Sequence, residues 1–354
     1  MRTDGLTERL GTLGVDAIVV TRLPNVRYLT GFTGSNAQAL VWGDGGVFFT
    51  DGRYTEQSRR EVPNMERVTY ASQDFPQVLR DACVAQGVSA LGFEDADLSV
   101  QTFRTLQQAL EDTELVAVGD AVERIRWVKD EEEIGLIQAA QDATDRAFED
   151  ILEKLAVGMS ERQVAQELEH GMRRAGADGL SFETIVAFGE NAAEPHHEPN
   201  HRALEEGDIV KMDFGALWSG YHADMTRTVA FGEIAPELRK IHAVVQEAQQ
   251  LGIDAVRAGV SGGDIDAASR RVIEDAGYGE RFSHGLGHGV GLEIHEGPGL
   301  RRGGTDELPA GSVVTVEPGV YVPGLGGVRI EDMVVVTLDG CRVMPSSSRD
   351  LIEL

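Results

Sequence analysis

Leu204-Glu205-Glu206-Gly207-Asp208-Ile209-Val210-Lys211-Met212-Asp213-Phe214-Gly215 decides how this chain is read, because its pattern occurs twice. Leu308-Pro309-Ala310-Gly311-Ser312-Val313-Val314-Thr315-Val316-Glu317-Pro318-Gly319 repeats it 104 residues later, as Leu-x-x-Gly-x-[Ile/Val]-Val-x-[Met/Val]-[Asp/Glu]-x-Gly. Upstream, Gly158-Met159-Ser160, with Gln163 placed for a capping box, is echoed 101 residues on by Gly259-Val260-Ser261 with Asp264. Both helices end in Ala-Gly, at Ala175-Gly176 and Ala276-Gly277, again 101 apart. Two caps and a twelve-residue strand pattern in one order read as two similar halves, each of helices followed by strands. Such halves face each other across a site.

Each copy carries an acid in an apolar run: Asp213 after Ile209, Val210 and Met212, and Glu317 after Val313, Val314 and Val316. A second acid follows in each half, Asp224 in Tyr221-His222-Ala223-Asp224-Met225-Thr226 and Glu331 in Val328-Arg329-Ile330-Glu331-Asp332-Met333. If a hairpin turns at Trp218-Ser219, Asp213 faces Asp224 directly. If it turns at Ser219-Gly220, the two are diagonal neighbours. Either register puts both carboxylates on one face. Neighbouring acids in a sheet are destabilising unless one is exposed or protonated, or a cation lies between them.

The chain has nine histidines. Five fall in two clusters: His196-His197, within Glu194 to Pro199, and His284, His288 and His295, within Ser283 to Glu296. The four glycines of the second cluster let backbone and ligand approach closely. Four carboxylates with one or two imidazoles suit Mn²⁺, Mg²⁺ or Co²⁺ better than a thiolate-type zinc site. Neither Cys83 nor Cys341 lies near these motifs. Two acid pairs and a histidine suffice for two cations about 3.5–4 Å apart, an arrangement that activates water for hydrolysis.

The first third alternates short strands with helices. Ala17 to Thr21, Ala37 to Trp42, Gly46 to Thr50, Val68 to Tyr70, Leu91 to Phe93 and Leu115 to Val118 read as strands, with Gly43-Asp44-Gly45 as a hairpin turn. Phe75 to Gln86 and Val100 to Leu110 have helical periodicity. A long helix follows Lys129, with Ile134, Ile137, Ala140, Phe148, Ile151, Leu152 and Leu155 as its apolar stripe and Asp130 to Glu133 as a solvated start. The fold class is α/β (α+β), with domains at 1–125 and 126–354. At 354 residues and 42% apolar composition, two full cores are affordable in length and composition. A net charge of −27 makes nucleic acid and anionic membranes poor partners. No apolar run approaches the ~18 residues of a membrane span, and Met1-Arg2-Thr3-Asp4-Gly5 opens no secretory signal, so a cytoplasmic location is expected.

At these residues the sequence resembles the pita-bread metallopeptidase family, which includes methionine aminopeptidase, aminopeptidase P and prolidase. The order Asp, Asp, His, Glu, Glu is complete, and Ser-His-Gly-Leu-Gly-His and Arg-Ile-Glu-Asp match its contexts. Residues Thr21 to Phe32 and Thr50 to Tyr54 are similar to the creatinase-type N-terminal domain of its proline-specific branch, typically absent from methionine aminopeptidases. The resemblance implies a pita-bread domain of pseudo-twofold halves and a dinuclear centre, most readily of Mn²⁺, with Co²⁺ or Zn²⁺ as alternatives. Its ligands would be Asp213, Asp224, His288, Glu317 and Glu331, with Asp224 and Glu331 bridging. Glu317 would also move the proton. His196, His284 and His295 would line the substrate pocket and stabilise the tetrahedral intermediate, and Arg329 would hold ligands in place.

The implied reaction is hydrolysis of the Xaa-Pro bond in short proline-containing peptides by an exopeptidase that pairs as a homodimer through its first domain. Dipeptidase and aminopeptidase P remain open, with the dipeptidase favoured. A methionine aminopeptidase and a non-catalytic peptide-binding scaffold are the weaker readings. Arg22, Arg27 and Arg53 are candidates for a free proline carboxylate or are simply structural. Trp42 and Trp127 read as packing, Trp218 as a site wall or turn packing, and His222 as a partner of Asp224 or a packed histidine.

Overall fold

The structure, a computed structural model, describes residues 3–71 and 74–354. Met1 and Arg2, from the N-terminal stretch quoted above, lie outside the described residues. The chain divides into two compact units, Met1–Arg126 and Trp127–Leu354.

The first unit is built on a six-stranded sheet ordered β4-β3-β2-β1-β5-β6. Its strands are β1 Ala17–Val20, β2 Ala37–Trp42, β3 Gly45–Asp51, β4 Glu66–Tyr70, β5 Ala90–Phe93 and β6 Glu114–Ala117. The β2–β3 hairpin pairs Trp42 with Gly45 around Gly43-Asp44. β1 lies antiparallel to β2, and β5 and β6 continue the sheet in parallel. Helices Phe75–Gln86 and Val100–Ala109 bury Leu79, Cys83 and Leu106 against one face of it. A helix not read in the sequence spans Leu23–Thr30, with Pro24 in its first turn and Gly31 ending it at φ +78°.

In the second unit the repeat is visible as matched hydrogen bonds. Gly158 N donates to Leu204 O and Leu204 N to Met159 O, while Gly259 N donates to Leu308 O and Leu308 N to Val260 O. Helix Glu161–Arg174 starts at Ser160, whose side chain and that of Gln163 close a capping box. Helix Gly262–Asp275 starts at Ser261, which accepts from Asp264 N. Each packs on a longer helix, Glu131–Leu152 in the first half and Pro236–Ala255 in the second. The two strands of the repeated pattern, Asp208–Phe214 and Val313–Val316, are buried along their whole length.

One expectation for this unit is corrected. The start of the long helix is not wholly solvated. Glu133 is buried, closes a capping box with Asp130 and accepts from the Tyr221 hydroxyl at 2.7 Å. Lys129 is also buried, paired with Glu296 at 2.6 Å. No helix among the described residues is long and apolar enough to cross a membrane.

Candidate metal centre

Strand Asp208–Phe214 pairs with Met225–Phe231, Asp213 lying opposite Thr226. Beyond it, Leu217 pairs with His222 and Trp218 with Tyr221, so the turn is Ser219-Gly220, both at positive φ (46° and 77°). This is the diagonal register. Asp224 sits where the strand breaks, next to Ala223, whose carbonyl would lie 1.9 Å from any Cβ at Gly215. The glycine is needed for that approach. The break leaves Asp224 and Asp213 lining the same cavity.

That cavity, of about 630 Å³, is lined by Asp213, Asp224, His288, Glu317 and Glu331, by His196, His284, His295 and Arg329, and by Phe182, Ile185 and Ile294. All nine site residues read from the sequence therefore meet in one pocket. Ligand atoms of Asp224, His288 and Glu331 all lie within 4.8 Å of one another. His288 Nε2 stands 3.5 Å from both Asp224 Oδ2 and Glu317 Oε1.

The donor atoms are prepared for a cation. Each of two buried acids has one oxygen held by the chain and one without a partner. Asp213 Oδ2 takes Arg329 Nη2 while its Oδ1 is unpaired. Glu331 Oε2 takes the Thr226 hydroxyl at 2.7 Å while its Oε1 is unpaired. An unpaired buried carboxylate oxygen is costly unless something positive reaches it. His288 Nδ1 donates to Gly289 O at 3.0 Å, which turns Nε2 toward the acids. These residues fit a divalent metal site.

The electrostatics agree. Burial and the neighbouring acids push Asp224 up to about 6, Glu317 up to about 7 and Glu331 well above the carboxylate range. Burial alone would lower His288, yet the facing Asp224 and Glu317 lift it to about 9. Acids crowded out of water hold protons until a cation replaces them.

Around this set, Arg329 Nε donates to Thr226 Oγ1 at 2.9 Å and Nη1 to the Tyr321 hydroxyl oxygen at 2.8 Å. Burial and Arg329 lower His284 to about 4, so its ring is neutral. Its Nδ1 donates to Gly285 O at 2.8 Å, and its Nε2 accepts from Tyr321 at 2.9 Å. Both ring nitrogens are thereby engaged. His295 stacks edge-on against His288 with ring centroids 4.4 Å apart, and both it and His196 are exposed.

Several neighbours escaped sequence reading. Thr226, Thr315 and Tyr321 hold ligands or their partners but carry no motif. Lys211, fully buried on the strand face that carries Asp213, was signalled only by being a cation in an apolar run. Burial, with Arg329 nearby, pulls its ammonium down to about 6. Four residues with open readings have partners of their own. His222 Nδ1 pairs with Ser181 Oγ at 2.9 Å, and Trp218 packs over Gly176. In the first unit, Arg53 pairs with Asp51 at 2.7 Å and Arg22 with Glu123 at 3.0 Å.

Residues 135–338 match metallopeptidase family M24, and residues 2–128 match the creatinase/prolidase N-terminal domain. The chain belongs to metallopeptidase family M24. As an M24 member it is a metal-dependent peptidase. It is 33% identical to a Pyrococcus horikoshii protein named Xaa-Pro dipeptidase, over 96% of this chain and 95% of that one. Among solved structures it is similar to an Xaa-Pro dipeptidase from Bacillus anthracis, at TM-score 0.96 and 39% identity, covering 100% of this chain and 99% of that one. It is also similar to an X-Pro aminopeptidase from Thermotoga maritima, at TM-score 0.91 and 36% identity, covering 99% and 100%.

Proposed function

We propose that this M24 peptidase is an exopeptidase cleaving the Xaa-Pro bond, with Xaa-Pro dipeptides as its preferred substrates. The carrying observation is the convergence of five metal-type donors in one pocket, two of them with an unpaired buried oxygen. The dipeptidase names of two full-length relatives support the substrate class.

Asp213, Asp224, His288, Glu317 and Glu331 would hold two divalent cations. The oxygen-rich set favours manganese. When bound, the cations supply Lewis acidity and lower the pKa of water. The chain's own residues do the rest. Glu317 takes a proton at its carboxylate and passes it toward the proline nitrogen. His196 and His295 offer ring N–H groups to the developing oxyanion. His284 acts through Tyr321, and Arg329 fixes Asp213 and Thr226. Phe182, Ile185 and Ile294 give an apolar wall for a proline ring, whose missing N–H needs no acceptor. On the family resemblance, the reading extends to a cytoplasmic homodimer.

A second reading, an aminopeptidase acting on longer peptides, draws on the Thermotoga relative. It also draws on Arg329, the one Arg or Lys among the pocket residues, whose guanidinium is already engaged by Asp213, Tyr321 and Pro195 O rather than free for a proline carboxylate. Incubation with Xaa-Pro and Xaa-Pro-Yaa-Zaa peptides in Mn²⁺ separates the two. Fast release from the dipeptide and slow release from the tetrapeptide is expected. The reverse order establishes the aminopeptidase, and no cleavage of either with Mn²⁺, Co²⁺ or Zn²⁺ sinks the Xaa-Pro assignment.

A further inference from the structure

His196 reaches the pocket from a segment with little regular structure. Residues Gly189–Ala193 form one 3-10 turn, and the chain then runs irregularly to Asn200. A loop of this kind holds a side chain in place only if its backbone is itself held.

Two buried polar side chains grip it, one accepting hydrogen bonds and one donating them. Glu161, fully buried in the first turn of helix Glu161–Arg174, uses both oxygens on donors of the segment. Its Oε1 accepts from Phe188 N and Asn191 Nδ2, both at 2.9 Å. Its Oε2 accepts from His197 Nε2 at 2.8 Å and Asn200 N at 3.0 Å. A carboxylate is favoured at a helix start, and such bonds are among the stronger ones.

Lys211 does the converse. From the buried strand Asp208–Phe214 its Nζ donates to the carbonyls of Ala192 at 3.2 Å, Glu194, and Pro195 at 3.5 Å. These lie at and just beyond the end of the 3-10 turn, where carbonyls are left without helical partners. Pro195 O also accepts from Arg329 Nη1 at 3.2 Å. An apolar side chain of the same length would fill the space without burying a polar group. It would not gather carbonyls. Because Lys211 and Asp213 are two residues apart, one strand face aims one at the loop and the other at the cavity.

We propose that Lys211 and Glu161 are positioning residues for His196, acting from opposite sides on the backbone of residues 188–200. The proposal rests on the Xaa-Pro peptidase reading only for its kinetic test. That test uses the full-length, metal-loaded enzyme on an Xaa-Pro dipeptide, with Lys211→Met, Glu161→Gln, His196→Ala and the double variants. A displacement near 1 Å can lower the rate by about 10²-fold, so Lys211→Met alone should lower kcat/KM by roughly 10- to 100-fold. In the His196→Ala background the same change should cost less than about 3-fold, because residues acting through one group are not additive. Metal content should stay unchanged, and amide hydrogen exchange should quicken within residues 188–200.

Additive penalties, or loss of metal in Lys211→Met, would overturn the proposal while leaving the peptidase reading intact. If Lys211→Met does not fold, Glu161→Gln stands in the same cycle with the same expectation. If the wild-type enzyme fails to cleave Xaa-Pro at all, the functional reading fails. Exchange then decides the positioning role alone: quickening confined to 188–200 supports it, and none overturns it.

Discussion

Asp224, Glu317 and His288 share one electrostatic consequence when the metal is stripped. Asp224 moves from an ordinary 3.8 to about 6, and Glu317 from 4.5 to about 7, burial being the first cause of each. A carboxyl whose pKa is higher folded than unfolded contributes stability that is full below the unfolded value and lost as pH climbs through the folded one. His288, lifted from 6.5 to about 9, acts with the same sign in a higher window. Chelator-treated protein should therefore melt at progressively lower temperature from about pH 4 to about pH 9, read by calorimetry. Glu317→Gln should flatten the middle of that decline, and Mn²⁺ at neutral pH should reverse it by binding the deprotonated groups. A stripped protein whose stability rises over this range would mean the acids are not crowded as described.

At the scale of elements, the repeat makes a symmetrical claim. Ser160 and Ser261 cap corresponding helices, so Ser160→Ala and Ser261→Ala should each cost about 1 kcal/mol, measured by denaturant unfolding. A large cost at one and none at the other would show that the halves are not mechanically alike. These caps were legible because capping is local: a hydroxyl and the residue three along suffice. The hairpin over Ala37–Trp42 and the helix Phe75–Gln86 were legible for the same reason. The helix Leu23–Thr30 was not, because its mixed composition shows little periodicity and only Pro24 and Gly31 mark its ends. The four proposed acid donors could be read because acids beside apolar runs are conspicuous, and His288 because it lies in a glycine-rich cluster of histidines. Their partners could not. Thr226 serves Glu331 across 105 residues, and Lys211 looks in sequence like any lysine of a strand. The break that frees Asp224 comes from close backbone approach at Gly215, which no residue spacing reports.

Over the whole molecule, the net charge of −27 sets a field rather than a contact. Glu183 and Glu198 add exposed acids to the cavity rim. At low ionic strength this should raise kcat/KM for Lys-Pro over Glu-Pro, and the ratio should shrink as salt rises toward about 0.5 M and the Debye length falls below about 5 Å. A ratio indifferent to salt would place the discrimination in direct contacts. The same charge argued at the outset against nucleic acid and anionic lipid as partners, and it now bears on substrate choice.

The proposed donors are divided between the halves: Asp213 and Asp224 come from the first, and His288, Glu317 and Glu331 from the second. Asp213 and Glu317 stand at equivalent places of the repeat, 104 residues apart. The centre is therefore an AND gate, since neither half owns enough donors to retain a cation pair. A folding chain would therefore bind the cation pair only once both halves have closed on each other.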